Sequence, residues 1–439
     1  MGDRTGTLVK PVDRLLLRGG RLLDPASGLD RVADMVVKKD VIETVGTVKS
    51  EGFKGKVMDC AGKVICPGLI DMHVHLREPG FEDRETIVTG CRAAMAGGFT
   101  AVCCMPNTHP PVDNRAQVEF IRERAGGLLV DVHPVAAVTV ARKGEMLTEM
   151  GDLVDAGAVA FSDDGAPVAT AALMRRALEY ASMFGHPVID HCEDLQMSGD
   201  GVMNEGSVST LLGLKSIPTI SEDIIAARDI LIAEYTGGPL HIAHVSSAGT
   251  VRLIRDAKAR GVSVTAETCP HYLVMTDEDV RTFDTNTKMK PPLRSRADQE
   301  ALVTGLQDGT IDVIASDHAP HRIQDKQTEY DAAAFGIIGL ETSLGLILTH
   351  LAGKNNMGLD RIVEKMAVLP RKILGLPETP LKEGAKANLT VIDPDIKWTV
   401  DRDSFLSKSR NCPFNGWALT GRSMAVINKG MIFSGSKIR

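Results

Sequence analysis

Hydrophobic and polar positions change rhythm twice along the chain. Residues 13–64 alternate short β-rich runs (14–17, 35–37, 41–45 and 56–59) with Gly, Asp and Pro turns, which predicts a small sheet. Then come eight short apolar runs, at 64–75, 100–105, 130–138, 158–162, 187–190, 240–245, 262–268 and 311–316. Helical stretches lie between many of them, at 84–96, 115–125, 169–184, 221–235, 248–260 and 296–306, and Gly often stands just past their ends, a common helix stop. Eight such units in succession predict an α/β fold, a (β/α)8 TIM barrel rather than a doubly wound sheet. After a helix at 359–374 the β pattern returns at 387–392, 425–428 and 431–433. The expected organisation is a barrel over 65–375 and a small β-sandwich domain formed from both chain ends, 1–64 and 376–439.

Composition narrows this picture. A chain of 439 residues that is 43% hydrophobic can bury a sizeable core. Only 4% of residues are aromatic while Gly numbers 42, which suits helices packed closely on a parallel sheet. The formal charge of −7, with no basic tract, argues against nucleic-acid binding and means that an anionic substrate needs a locally positive pocket. The eight cysteines are scattered without a C-x-x-C pair, so buried, reduced thiols are expected. Residues 1–10 are charged without a following apolar stretch, and no run approaches the ~20 apolar residues that span a bilayer. A soluble, cytoplasmic protein without membrane contact follows as the expectation.

Candidate chemistry gathers at the ends of the apolar runs. In Gly68-Leu69-Ile70-Asp71-Met72-His73-Val74-His75-Leu76-Arg77-Glu78-Pro79-Gly80 an apolar run ends in two histidines, an arginine and a turn. Side chains two apart on a strand share a face, so His73 and His75 can hold one cation, and Arg77 continues the parity beyond the strand. Asp71 shares it too, and can serve as a second-layer support or as a structural carboxylate. Other runs end in Met105-Pro106-Asn107-Thr108, Ser162-Asp163-Asp164-Gly165, Asp190-His191-Cys192-Glu193, His244-Val245-Ser246-Ser247 and Ala315-Ser316-Asp317-His318-Ala319-Pro320-His321. In a barrel of this kind the active site lies at the C-terminal strand ends, where imidazoles and carboxylates can bind one or two Zn²⁺-like ions and leave a position for water. Parity selects His244 over His241, but leaves Asp163 and Asp164 open.

Together these motifs resemble those of the dihydroorotases of the amidohydrolase superfamily, in the class related to the domain of the multifunctional pyrimidine enzyme. The likeness runs on to Gly384-Ala385-Lys386-Ala387-Asn388-Leu389-Thr390-Val391-Ile392-Asp393-Pro394. It implies a zinc enzyme that interconverts N-carbamoyl-L-aspartate and dihydroorotate in pyrimidine synthesis. It further implies His73, His75, His191 and His244 as metal ligands, Asp164 in place of the carboxylated lysine of other members, and Asp317 as both ligand and catalytic base. Arg77, Asn107 and His321 match substrate-binding positions, and Phe335 and Gly336 a loop that contacts substrate through its backbone. Where relatives often read Asn-Pro-Pro-Leu-Arg, this chain has Lys290-Pro291-Pro292-Leu293-Arg294, and Lys290 can donate to an oxygen but cannot accept.

The expected mechanism is attack of a metal-activated hydroxide on the ring amide, with Asp317 taking its proton and returning it to the leaving nitrogen. Arg77 suits bidentate capture of the substrate carboxylate, with Asn107 and His321 completing the cradle. Residues 322–339 are a candidate lid. The competing readings are a hydantoinase or allantoinase on the same barrel, and a non-catalytic scaffold for aspartate transcarbamoylase. A homo-oligomer, specifically a dimer, is expected, with association to the transcarbamoylase left open.

Overall fold

The eight apolar runs become eight parallel strands in a computed structural model that describes residues 9–49 and 51–435. Residues 1–8 of the charged amino-terminal stretch lie outside the described residues. The strands are β1 (Leu69–Val74), β2 (Phe99–Cys104), β3 (Asp131–Ala136), β4 (Ala160–Phe161), β5 (Val188–Asp190), β6 (Leu240–Ile242), β7 (Val264–Thr268) and β8 (Val313–Ile314). They pair in chain order, and past the end of β8 the ring is bridged where His75 N donates to His318 O at 2.8 Å. Val74 pairs in parallel with His318 at the same seam. The barrel is thus completed by residues that flank the candidate ligands.

One irregularity in β1 aims the histidines. Asp71 pairs with Val102 and Val74 with Cys104, so three steps on β1 span two on β2, a β-bulge. Ile70 and Met72 consequently pack in the barrel's interior cluster, whereas Val74 packs in the cluster shared with the surrounding helices. Uninterrupted alternation would give Asp71 and His73 one face; the bulge separates them. The Asp71 carboxylate instead pins the bulge, accepting from Ser316 N at 3.0 Å and His73 N at 3.2 Å. Its burial pushes the carboxyl up to about 7 against these hydrogen bonds.

Eight helices follow the strands: α1 (Ile87–Gly97), α2 (Arg115–Arg124), α3 (Met150–Ala156), α4 (Ala171–Ser182), α5 (Ile220–Thr236), α6 (Ala248–Ala259), α7 (Arg296–Asp308) and α8 (Leu340–Ile347). The first starts later than the pattern predicts because Thr86 caps it, its hydroxyl accepting from Thr89 N while Thr89 Oγ1 accepts from Thr86 N. The helix expected over 359–374 is interrupted by a π-helical turn at Glu364–Val368, after which Leu369–Ile373 carries Pro370, which has no N–H to donate. Leu374 packs into the interior cluster with Ile70 and Cys103, so this segment closes the barrel floor.

Strands from both chain ends form one hydrogen-bonded sheet beside the barrel. Leu389–Thr399 pairs antiparallel with Val64–Pro67, joining the ends directly. The run expected at 14–17 continues as the strand Arg14–Asp24, because Gly19-Gly20 makes a register shift within the strand rather than a turn. This sheet has its own core, including Leu17, Met35, Ile42, Ile65, Leu389 and Ile427.

Gly68 is the hinge between sheet and barrel, splitting the run expected at 64–75 in two. Its N–H donates to Asn388 O at 2.9 Å. A Cβ there would lie 1.9 Å from Asn388 Oδ1 and 2.1 Å from Thr100 Oγ1, two groups already bonded to each other at 2.6 Å. Gly68→Ala is therefore expected to cost about 1–3 kcal/mol by overpacking. Urea denaturation checks this, and an unchanged midpoint would refute the close-approach account.

Candidate active site

Six buried side chains meet at the C-terminal mouth of the barrel: His73 and His75 from β1, Asp164 beyond β4, His191 beyond β5, His244 beyond β6 and Asp317 beyond β8. Asp164 lies among the imidazoles. Its Oδ1 is 3.4 Å from His73 Nε2, 3.4 Å from His244 Nε2 and 3.7 Å from His191 Nδ1, and its Oδ2 is 3.5 Å from His75 Nε2. Asp317 Oδ1 stands 3.0 Å from His75 Nε2 and 3.6 Å from His73 Nε2. Asp163, which parity could not separate from its neighbour, turns away and accepts from the Thr139 amide at 3.1 Å and hydroxyl at 2.6 Å. Arg142 holds that turn by donating to the carbonyls of both aspartates, at 2.9 and 2.5 Å.

Three of the imidazoles are oriented from behind. His73 Nδ1 donates to Glu267 Oε1 at 2.5 Å, His75 Nδ1 to Asn107 Oδ1 at 2.8 Å, and His191 Nε2 to Glu193 Oε2 at 3.2 Å. With the outer nitrogen protonated in each ring, the inner one presents a lone pair. Burial pushes Glu267 up, but His73 and His241 beside it hold the carboxyl well below the usual range. Glu267 was not legible in the pattern, its one signal being a lone carboxylate near the end of the run at 262–268. Glu193 was visible only as a neighbour of His191.

Backbone strain marks the same residues. Arg77, His244 and Asp317 have φ of 64°, 33° and 46°, in a region that side-chain-bearing residues rarely adopt. For His244 the turn takes over from strand parity, since β6 ends at Ile242. His241, still on the strand, is also near the site, with Nε2 3.4 Å from Glu267 Oε2 and Nδ1 2.8 Å from Thr265 Oγ1.

This donor set fits a metal ion. His73 Nε2 and Asp164 Oδ1 are buried without a hydrogen bond, and two lone-pair atoms facing each other at 3.4 Å are reconciled by a shared cation. The sets His73, His75, Asp317 and His73, Asp164, His244 each bring their ligand atoms within 4.8 Å of one another. Imidazole and carboxylate ligands suit first-row divalent metals. A further group, Asp190, Cys192 and Asp229, already has a cation, since Arg228 Nε donates to Asp229 Oδ1 at 2.7 Å.

The residues expected to bind substrate fall in two places. Arg77 Nε donates to Pro320 O at 3.2 Å, while its two terminal nitrogens make no hydrogen bond to any described residue. Asn107 faces His75 with its oxygen, leaving its amide nitrogen as a donor. His321 Nε2 donates to Phe335 O at 2.7 Å, and Gly336 N donates to Lys288 O at 3.0 Å. Burial lowers His321 to about 3, so the ring is neutral. Lys290 Nζ lies 2.9 Å from Glu193 Oε1, against the carboxylate that orients His191. The expected lid segment is fastened: Lys326 Nζ donates to the carbonyls of Thr285, Lys288 and Ala334 at 2.9, 3.1 and 2.6 Å.

A family model described as dihydro-orotase-like matches residues 62–250. A protein named dihydroorotase from Pelotomaculum thermopropionicum is 54% identical over 420 residues, covering 95% of this chain and 98% of that protein. One of the same name from Syntrophus aciditrophicus is 52% identical over 424 residues, covering 95% and 99%. Among solved structures, an L-hydantoinase (dihydropyrimidinase) from Arthrobacter aurescens superposes with a TM-score of 0.86 at 26% identity, covering 98% of this chain and 97% of that one.

Because Glu267 touches an imidazole rather than the ion position, Glu267→Gln is expected to weaken metal binding by roughly 10–100-fold without unfolding the chain. Competition against a chromogenic chelator measures this. Affinity equal to wild type would remove Glu267 from the site.

Proposed function

This chain belongs to the dihydroorotase family, and from that premise we propose that it interconverts N-carbamoyl-L-aspartate and (S)-dihydroorotate, a step of pyrimidine biosynthesis, with Zn²⁺ as its metal. The observation that carries this reading is Arg77. Its guanidinium is buried, and burial lowers it only to about 10, so it remains a cation at neutral pH. With its terminal nitrogens unengaged, it calls for a planar anion. Dihydroorotate carries a ring carboxylate, whereas hydantoin and dihydrouracil rings carry none. The same requirement favours this substrate over those named for the structural neighbour.

One or two ions held by His73, His75, Asp164, His191, His244 and Asp317 would supply Lewis acidity, polarising the amide carbonyl and making water a nucleophile at neutral pH. The remaining work belongs to the chain. Arg77 grips the carboxylate in bidentate fashion and Asn107 adds its amide donor. His321 acts on the same pocket by holding Phe335, whose own N–H makes no hydrogen bond to a described residue and can donate to the ring, next to Gly336. Asp317, beside His75, takes the proton of the attacking water at its carboxylate. As water oxygen bonds to the ring carbonyl carbon and the C–N bond breaks, Asp317 delivers that proton to the departing nitrogen, which opens the ring to N-carbamoyl-L-aspartate. Cyclisation runs the same transfers backwards. Lys290 acts through Glu193 on His191 rather than on substrate.

No helix among the described residues is long and apolar enough to cross a membrane. The buried, unpaired cysteines support a reducing, cytoplasmic setting. A homo-oligomer, specifically a dimer, is the assembly we propose.

Purified protein is expected to contain zinc and to open dihydroorotate while leaving hydantoin and allantoin essentially untouched. Metal without dihydroorotate turnover, or equal turnover of hydantoin, would overturn the proposal. Asp317→Asn should lower kcat by about 10²–10⁴-fold while substrate binding persists. Near-full activity in that variant would show that another group moves the proton.

A further inference from the structure

Asn411 belongs to the link between the strands Leu389–Thr399 and Ala418–Asn428 of the terminal sheet, yet its side chain is buried at the barrel mouth. Its Nδ2 donates to Ala319 O at 3.0 Å and to Gly336 O at 3.1 Å, and its Oδ1 accepts from His321 N at 3.2 Å. Its carbonyl accepts from Ile338 N at 3.0 Å. One side chain thereby joins the turn that follows Asp317 to the returning segment that contains Phe335 and Gly336.

The middle of that turn is Pro320, whose carbonyl receives Arg77 Nε. Both neighbours of Pro320 are held by Asn411, so the direction of the Arg77 fork depends on a residue from the other domain. The contact between Gly336 and the turn is close: a Cβ on Gly336 would fall 2.7 Å from Ala319 Cβ and 3.3 Å from His321 Nε2.

The link that delivers Asn411 is itself anchored by two glutamates, Glu85 buried and Glu341 half-buried. Glu341 accepts from Leu406 N and Ser407 N, both at 2.9 Å. Glu85 accepts from Ser407 Oγ at 2.5 Å and Lys408 N at 3.2 Å, and lies 3.5 Å from His318 Nε2. Glutamates from the barrel, with no exposed surface to offer the solvent at Glu85, therefore hold a loop of the terminal domain against the site.

We propose that Asn411 is a positioning residue for the substrate side of the site, aiming the Arg77 fork and setting His321 and Gly336 without touching the reacting atoms. The inference rests on the reading of Arg77 as the carboxylate holder. It separates binding from chemistry, because the metal cluster and Asp317 owe none of their contacts to Asn411.

The test uses the full-length zinc-loaded enzyme and dihydroorotate. Asn411→Ala removes three side-chain hydrogen bonds, and Asn411→Asp keeps the acceptor for His321 N while setting a carboxylate against two carbonyls. Each is expected to raise KM about tenfold, with kcat and metal content close to wild type. A general structural role would instead lower kcat and metal content together at constant KM, and that result overturns the proposal. So does a KM within about twofold of wild type in both variants, or insolubility of both, which would make Asn411 a folding clamp. If wild-type enzyme fails to turn over dihydroorotate in the same assay, the functional reading itself fails, a result distinct from an unmoved KM.

Discussion

Two carboxylates, Asp164 and Asp317, are buried against four imidazoles, and the rest of the molecule is arranged so that this cluster can exist. Buried ionised groups are tolerated only when they are paired. Asp164 Oδ1, within 3.7 Å of three imidazole nitrogens and without a hydrogen bond, marks the place where pairing must come from a cation. The surrounding shell makes that geometry possible. Glu267, Asn107 and Glu193 each take the outward N–H of one ring, which leaves the inward nitrogens as donors of electron pairs.

The barrel stabilises this arrangement through its closure. Its last seam runs through Val74, His75 and His318, beside the ligands, and the bulge in β1 turns both histidines inward. Asp71 joins the two features with one carboxylate that bonds the amides of His73 and Ser316. Strained backbone at Arg77, His244 and Asp317 persists because packing and hydrogen bonds on either side over-determine it. Fold and site are therefore coupled at the level of the main chain, where an altered register in β1 would displace His73 and His75 and disturb the seam beside Asp317.

The terminal sheet takes part as well. Val64–Pro67 pairs with Leu389–Thr399 and passes at Gly68 directly into β1, so the sheet sets where the ligand strand begins. A loop from the same sheet returns to the mouth and places Asn411 between the turn behind Arg77 and the segment around Gly336. Both parts of the chain thus meet at the mouth, while the candidate metal cluster belongs to the barrel alone.

Much of this was legible in one dimension. Eight apolar runs alternating with helical stretches determined the barrel, because strand and helix periods are local properties of the chain. The residues at the run ends, His73, His75, His191, His244 and Asp317, were legible for the same reason, since a parallel barrel gathers its strand ends at one mouth. Tertiary structure alone decided the rest. Parity could not choose Asp164 over Asp163, because β4 is two residues long and the choice depends on Thr139 and Arg142 from elsewhere. Nor could it foresee the bulge that parts Asp71 from His73, the service of Glu267, or the reach of Asn411 across roughly ninety positions of sequence to His321. Those are contacts between distant segments, and their partners become neighbours only when burial brings them together.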